Sequence, residues 1–195
     1  MPKTKIAPDA VLDAAFSVLR AEGYPAVNAR SVAQRAGCSV QPIYSCFDGM
    51  EALMEALYRR AMDFLDRFVE ERADRDNYFE SIGQCHIRLA AEEPEVFRFL
   101  FLSPYLRTRT FDQLYSQFGR EDVARTLRAD LGLTADEVET LYLDLMLFTH
   151  GIASLIALGG AGFPPEEIHQ KCDGAYHAFL AQIRKEGRKN EAAPS

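Results

Sequence analysis

A short segment near the N-terminus carries amide, phenol, hydroxyl and guanidinium side chains close together. Gln41, Tyr44 and Ser45 lie within five residues of one another, and Arg30 lies eleven residues before Gln41. A glutamine amide can form paired hydrogen bonds with the edge of adenine, hydroxyl groups and a guanidinium bind phosphate, and a tyrosine ring can contact a sugar or the thymine methyl group. These residue types indicate a nucleic-acid interface.

Two short helices joined by a tight turn are predicted to position these side chains. Asn28 can cap a helix that runs to Gly37, and a further helix is expected over residues 40–47. Gly37 can adopt the left-handed conformation in which many helices end. An amphipathic helix over residues 8–22, ending at Gly23, precedes them and can pack behind both. This order of elements is typical of a helix-turn-helix, whose second short helix enters the major groove.

The second short helix has its own start signals. The Ser39 hydroxyl is expected to cap the first turn of this helix. Pro42, at the third helical position, is compatible with a helix start, because the backbone amides of the first turn have no partner within the helix. The residues expected to pack inside the helix-turn-helix are Val32, Ala33, Ala36, Ile43 and Phe47. The residues expected to bind DNA are Asn28, Arg30, Ser39, Gln41, Pro42, Tyr44 and Ser45.

The rest of the chain is also predicted to be helical, because apolar residues recur at steps of three and four and no alternating strand pattern occurs. The predicted fold class is therefore all-α. A long helix should start after Asp48, and Thr134 with Glu137 forms a capping-box pattern for a late, strongly apolar helix. A last helix is expected to enter through Pro164 and Pro165 and to end at Gly187, followed by a disordered polar tail. Between these, helices are expected over residues 78–91, 94–100 and 110–131, the last broken near Gly119.

Composition and charge limit the classes of protein that fit. The 195 residues are 48% hydrophobic, which is enough for a packed core, and the net charge is -7. A negative protein is a poor match for DNA, but residues 1–50 contain five basic and four acidic side chains, so the excess acid lies in the rest of the chain. Phosphate binding must therefore depend on a few well-positioned groups, backbone amides and helix ends.

The N-terminus and the cysteines favour a cytoplasmic protein. Charge and two prolines interrupt residues 1–16 before an apolar run develops, unlike a signal peptide. The four cysteines, at positions 38, 46, 85 and 172, form no CxxC pair and are expected to be reduced thiols. Residues 141–158 are apolar enough to raise the question of a membrane span, but Asp144, His150 and the lack of basic flanks favour a helix buried on more than one face, with no membrane contact.

Residues 28–47, NARSVAQRAGCSVQPIYSCF, followed by Leu53, resemble the DNA-binding domain of the TetR family of bacterial regulators. The resemblance covers about residues 6–57 and includes the Glu22-Gly23 pair. It implies an Ω-shaped, all-α homodimer that binds a partly palindromic operator in double-stranded DNA, usually as a repressor. It also implies that a small-molecule effector enters the C-terminal domain and releases the DNA, and that the last two helices form the dimer surface.

Three positions depart from the pattern that this family commonly shows. Asn28 stands where relatives often have a capping threonine, and Cys46 stands where they often have histidine. Met50 replaces a lysine at the start of the fourth helix, which removes a phosphate-binding charge. Lys3 and Lys5 in the N-terminal arm are candidates to replace that charge.

The resemblance also sets the expected domains. These are a three-helix DNA-binding domain over residues 1–50, a ligand-binding and dimerisation domain over residues 51–190, and a disordered tail over residues 191–195. Weak candidates for the ligand site are Phe97, Phe101, Tyr115 and His150. Aromatic residues at helical spacing are more often plain core, and an imidazole inside an apolar helix needs a partner whatever its role.

Other classes of function are less well supported. No cofactor is expected, and no metal site, since His169 and Cys172 at helical spacing supply too few ligands. The chain is not expected to be an enzyme, because it has no nucleophile–base signature and no glycine-rich phosphate loop. A helix-turn-helix that binds protein instead of DNA stays open, because the segment is only mildly basic.

Overall fold

The chain consists of helices and their connections throughout the part that the structure describes. In this computed structural model that part is residues 6–191, with side chains described as far as Gly187. No β-strand occurs within it, which confirms the all-α prediction. The helices are α1 (Pro8–Glu22), α2 (Ala29–Arg35), α3 (Gln41–Cys46), α4 (Gly49–Arg72), α5 (Tyr78–Glu92), α6 (Pro94–Phe101), α7 (Phe111–Phe118), α8 (Glu121–Leu131), α9 (Ala135–Ala157) and α10 (Pro165–Glu191), with a 3₁₀ turn at Tyr24–Ala26.

Two compact units divide the chain. The first unit comprises the residues up to Arg72 together with Arg88–Arg107, and it holds α1 to α4, the end of α5, and α6. The second unit comprises Ala73–Ile87 and the residues from Thr108 onwards, and it holds most of α5 and α7 to α10. The functional division at residue 50 stays a prediction, since it concerns where DNA and ligand bind.

The first unit has a continuous apolar core. Residues from α1, α2, α3, α4 and α6 are buried together in it. α6 is held in this core by Phe99 and Leu100, both fully buried, and the Tyr58 hydroxyl donates a hydrogen bond to the Leu100 carbonyl oxygen (3.0 Å). A bidentate ion pair joins Arg20 of α1 to Glu93, which directly precedes α6. α6 is therefore a structural part of the unit that contains the predicted helix-turn-helix.

The second unit has a separate core built from α8, α9 and α10. Its buried residues are Val123, Ala124, Leu127, Leu133, Val138, Leu141, Tyr142, Leu145, Leu180 and Ile183. The predicted capping box of α9 is present: the Thr134 hydroxyl oxygen accepts from the Glu137 amide, and the Glu137 carboxylate accepts from the Thr134 amide. Satisfied first-turn amides fix the start of α9 at the predicted residue.

Helix α9 is only partly buried, contrary to the expectation that it packs on more than one face. Val138, Leu141 and Leu145 are buried, but Leu147 is 42% exposed and Leu155 is 51% exposed. By length and composition alone, α9 is also apolar enough to cross a membrane. Its exposed leucines lie on a face that the described part of a single chain does not cover.

The C-terminal boundary was predicted wrongly. Helix α10 does not end at Gly187 but continues to Glu191. Gly187 lies inside α10, and a Cβ there would be 2.9 Å from the Oε1 atom of Glu137 in the first turn of α9. Residues 192–195 of the predicted disordered tail, and the predicted N-terminal cations Lys3 and Lys5, lie outside the described residues.

Candidate DNA interface

The start of α2 is fixed by the side chain predicted to cap it. The Asn28 Oδ1 atom accepts hydrogen bonds from the backbone amides of Arg30 and Ser31, both at 3.0 Å, and the Ser31 hydroxyl accepts from the Asn28 amide (3.0 Å). The Asn28 Nδ2 atom donates to the Ala26 carbonyl oxygen (3.0 Å). Both polar atoms of Asn28 are thus used inside the protein, and its predicted effect on DNA binding would act through the orientation of α2.

The turn between the two short helices forms at the predicted glycine. Gly37 has φ +67°, a conformation that side chains other than glycine rarely adopt. α3 then runs over Gln41–Cys46, one residue shorter at each end than predicted, with Pro42 at its second residue. Ser39 does not cap it: the N-cap residue is Val40, whose own φ of -67° and ψ of -27° are already helical, and no side chain accepts from the first turn.

One face of α3 is buried and the opposite face is exposed. Ile43 is 1% exposed in the core, whereas its neighbour Tyr44 is 57% exposed. Gln41 and Ser45, four residues apart and therefore on the same side of the helix, are also exposed. The Ser45 hydroxyl donates to the Gln41 carbonyl oxygen (3.1 Å), which leaves its lone pairs facing outward. α3 therefore presents an amide, a phenol and a hydroxyl on a helix that its buried face holds in position.

The packing predicted inside the helix-turn-helix is confirmed. Val32, Ala33 and Ile43 are buried, and Ala36 and Phe47 pack against the same core while partly exposed. This core also contains α1 and α4, so the two short helices are fixed from behind. Arg30 and Ser39, the remaining predicted DNA contacts, are both exposed, while Pro42 is partly buried. Whether these side chains contact DNA stays a prediction.

The weak candidates for a ligand site lie in different units. Phe97 and Phe101 belong to the first unit, where their rings are 5.0 Å apart, and Phe97 is fully buried. Tyr115 and His150 belong to the second unit, where the Tyr115 ring packs edge-on against Tyr142 at 5.5 Å. Phe97 and Phe101 contact each other, whereas Tyr115 contacts Tyr142 and His150 contacts His86, so each ring packs against another ring, as core residues do. A ligand role for any of them stays a prediction.

His150 has the polar partner that the sequence required, and this partner is a histidine. The His86 Nε2 atom lies 3.3 Å from the His150 Nδ1 atom, and the His150 Nε2 atom lies 3.3 Å from the Ser154 hydroxyl. Burial, and secondarily the proximity of His150, lowers the pKa of His86 to about 3, and burial also lowers the pKa of His150. Both imidazoles are therefore neutral at pH 7, and the second unit contains a short chain of hydrogen-bonding groups between α5 and α9.

The pairing of His86 with His150 is not apparent from the sequence, because 64 residues separate the two histidines. The only signal for His86 was its position in a helix with an apolar face. Gly83, one turn earlier, allows a close approach between α5 and α9: a Cβ there would lie 3.4 Å from the Thr149 Cγ2 atom. Gly83 followed three residues later by His86 is a weak sequence indication that α5 packs closely against another helix.

The described residues contain no group of three or more His, Cys, Asp or Glu side chains that could hold a metal ion. His169 instead lies 3.1 Å from the Glu80 carboxylate, and burial, with the charge of Glu80, raises the pKa of the Cys172 thiol. A raised thiol pKa disfavours the thiolate that metals bind.

Comparisons with known proteins agree with the geometry. The family model of bacterial regulatory proteins of the tetR family matches residues 11–57, from α1 to the first turns of α4. A TetR-family protein from Vibrio parahaemolyticus has a similar structure, with TM-score 0.59 and 16% identity over 88% of this chain and 97% of that chain. A transcriptional regulator from Rhodococcus sp. Rha1 has a TM-score of 0.60 and 19% identity, over 91% of this chain and 97% of that chain. A TetR-family regulator from Marinobacter aquaeolei VT8 has a TM-score of 0.60 and 16% identity, over 88% of this chain and 94% of that chain.

A sequence search of curated proteins returned no match. At these identities the structural neighbours establish the fold, and the family model establishes the N-terminal domain. Residues 11–57 thus match the model of the TetR-family DNA-binding domain, and the chain shares the all-helical fold of solved TetR-family regulators over about nine tenths of its residues.

Proposed function

We propose that this regulator is a cytoplasmic homodimeric repressor that binds a two-fold symmetric operator and is released by a small-molecule effector. The observation that carries the proposal is the exposed face of α3, where Gln41 and Tyr44 flank the buried Ile43. An amide, a phenol and a hydroxyl that share the exposed side of one short helix are groups that can bind base edges and phosphates. The proposed activity is DNA binding without catalysis.

The chemistry of this face suits readout of the major groove. The Gln41 amide can form two hydrogen bonds with adenine, and the Tyr44 ring can pack on a thymine methyl group or contact a phosphate through its hydroxyl. α3 is only six residues long. A helix of this length spans about 9 Å and reads only a few base pairs, so specificity requires two copies.

The exposed face of α9 supports dimerisation. Leu147 and Leu155 lie on it, and Leu158 and Phe163 follow in the connection to α10, with exposed fractions of 66% and 42%. Two protomers that bring their last two helices together would bury these side chains in a four-helix bundle. A two-fold axis through this bundle would relate the two copies of α3, which must lie about 34–36 Å apart to read successive major grooves.

Effector binding is proposed for the second unit. The His86–His150–Ser154 chain supplies hydrogen-bonding groups between α5 and α9, and ligand sites use such groups to orient a bound molecule. An effector that prefers a dimer with a different separation of the α3 helices would weaken DNA binding. By linkage, DNA would weaken effector binding by the same factor.

The test is a selection of genomic DNA fragments by the purified protein at a fixed salt concentration. The wild type is compared with the double variant Gln41→Ala, Tyr44→Ala, which removes both reading side chains but leaves Ile43 and the core intact. Phe111→Ala is the matched control, since it removes another exposed aromatic ring (62% exposed) from the second unit. Enrichment of a two-fold symmetric site by the wild type and the control, but not by the double variant, is the expected result.

Two results would contradict the proposal. A folded wild-type dimer that enriches no fragment would favour a helix-turn-helix that binds protein. Equal enrichment by the double variant would show that another surface reads the DNA.

The genes beside an enriched site then supply the metabolites to test as effectors, and transcription from that promoter with and without the protein distinguishes a repressor from an activator.

A further inference from the structure

The DNA-binding part of the first unit is poor in available cations. Residues 6–57 contain three arginines and no lysine. Arg20 pairs with Glu93, and Arg35 pairs with Glu22 at 3.2 Å, which leaves Arg30, exposed in the first turn of α2. One arginine on each protomer is a small number of charges for a protein with a net charge of -7 to hold the DNA backbone.

A fourth arginine reaches this region from elsewhere in the chain. The Arg107 Nη1 atom lies 3.1 Å from the Glu55 Oε1 atom, and its Nη2 atom lies 3.8 Å from the Glu51 Oε1 atom. Glu51 and Glu55 are in the first two turns of α4, which begins three residues after α3 ends. The guanidinium of Arg107 therefore lies next to the element that directly follows the recognition helix.

The segment that carries Arg107 is anchored to the first unit. The Tyr105 ring packs against the rings of Tyr24 (6.1 Å) and Phe99 (5.3 Å). The Ser103 hydroxyl donates to the Phe99 carbonyl oxygen (2.6 Å) and accepts from the Tyr105 amide (3.2 Å). Arg107 thus follows a packed turn, and the α4 carboxylates set the direction of its side chain.

The Arg107 side chain has donors to spare for another anion. It is 63% exposed, and two carboxylate contacts, one of them longer than a hydrogen bond, cannot occupy its five N–H groups. Arginine binds phosphate through paired N–H groups in the same way that it binds carboxylate. Without this cation, Glu51 and Glu55 would repel a phosphate near the start of α4.

We propose that Arg107 binds the sugar-phosphate backbone of the DNA duplex beside the recognition helix, with Glu51 and Glu55 holding its guanidinium there. The inference rests on the proposed DNA binding and adds a contact from outside the helix-turn-helix. A phosphate contact by Arg107 would show in the salt dependence of DNA affinity. Each neutralised phosphate releases condensed counterions and makes the slope of log K against log salt concentration more negative by about 0.9.

The experiment measures that slope for the full-length protein on a random-sequence DNA duplex, so that no operator is needed. Arg107→Gln removes the charge and keeps an amide and most of the stem, while Arg107→Lys keeps the charge. Arg88→Gln is the matched control: Arg88 is also an exposed arginine paired with a glutamate, Glu92, at 2.9 Å. Glu92 contacts Arg72 at the opposite end of α4, roughly 30 Å from Glu51 along the helix, which is several Debye lengths at 0.1 M salt.

The expected result is a slope that becomes less negative by about 0.9 per protomer in Arg107→Gln, with affinity at 0.1 M salt about eight-fold lower per contact and roughly sixty-fold lower for a dimer. Arg107→Lys and Arg88→Gln should keep the wild-type slope. Thermal unfolding of each variant checks that it is folded. If Arg107→Gln fails that check, the slopes of Arg107→Lys and Arg107→Met replace it in the comparison.

Two outcomes would overturn the inference while leaving the proposed function in place. An affinity loss without a change of slope would mean that Arg107 only holds α4 in position. An equal change of slope in Arg88→Gln would mean that the effect reflects net charge. A wild type that binds no duplex even at low salt would instead refute the proposed function, and the phosphate contact with it.

Discussion

The buried imidazole of His86 should make the protein sensitive to acid. Its pKa is about 3 in the folded chain, lowered mainly by burial, against 6.5 in the unfolded chain. Below pH 6.5, His86 is protonated in the unfolded chain but stays neutral in the folded chain. The free energy of unfolding therefore decreases as the pH is lowered from 6.5 to about 3. Between pH 7 and pH 5 this amounts to about 2 kcal/mol of unfolding free energy per chain.

The assay is urea unfolding at pH 7 and at pH 5, with every protein at the same concentration so that the concentration-dependent contribution of dimer association is held constant. His86→Gln removes the titrating group and keeps a hydrogen-bonding side chain. Between pH 7 and pH 5, the free energy of unfolding of this variant should decrease by about 2 kcal/mol less than that of the wild type. His150 still titrates in both proteins, because its own pKa is lowered by burial alone. His169→Gln, an exposed histidine of the same unit, serves as the control. Equal losses in the wild type and His86→Gln would refute the reasoning.

Three further predictions concern the helix-turn-helix and the dimer surface. Ile43→Ala, at a site 1% exposed, should lower the unfolding free energy by about 2–5 kcal/mol in urea, and a loss below about 1 kcal/mol would show that α3 is not held by the core. Asn28→Ala should cost about 1 kcal/mol in thermal unfolding, because it removes the acceptor for two first-turn amides, and melting of this variant at the wild-type temperature would contradict a capping role. Leu155→Glu should leave the chain helical by circular dichroism but monomeric in sedimentation, and an unchanged dimer would exclude the exposed face of α9 as the interface.

Local signals in the sequence predicted local structure well. Asn28 and Thr134 cap α2 and α9 as expected, because a cap depends only on a side chain and the amides two or three residues later. Gly37 forms the turn for a similar reason, since only its own backbone decides it. Ser39 does not act as a cap, because α3 begins at Gln41 with Val40 at the N-cap position and no side chain accepts from its first turn.

Contacts between distant residues could not be predicted in this way. The sequence showed that His150 needs a polar partner, but several histidines, carboxylates and hydroxyls could have served, and packing of α5 on α9 selects His86. The pairing of Arg107 with Glu51 and Glu55 depends on how the turn after α6 folds back onto α4. Gly187 was misinterpreted as a helix end, because α10 continues through it to Glu191 while packing beside α9.

The central claim is that α3 reads DNA sequence through Gln41 and Tyr44. The most direct test is the ratio of affinities for the selected genomic site and for a random duplex at one salt concentration, in the wild type and in the Gln41→Ala, Tyr44→Ala variant. Base contacts carry specificity and phosphate contacts carry general affinity. If Gln41 and Tyr44 contact the bases, the variant should bind the random duplex nearly as well as the wild type but lose most of its preference for the selected site. A variant that keeps the full preference would contradict it.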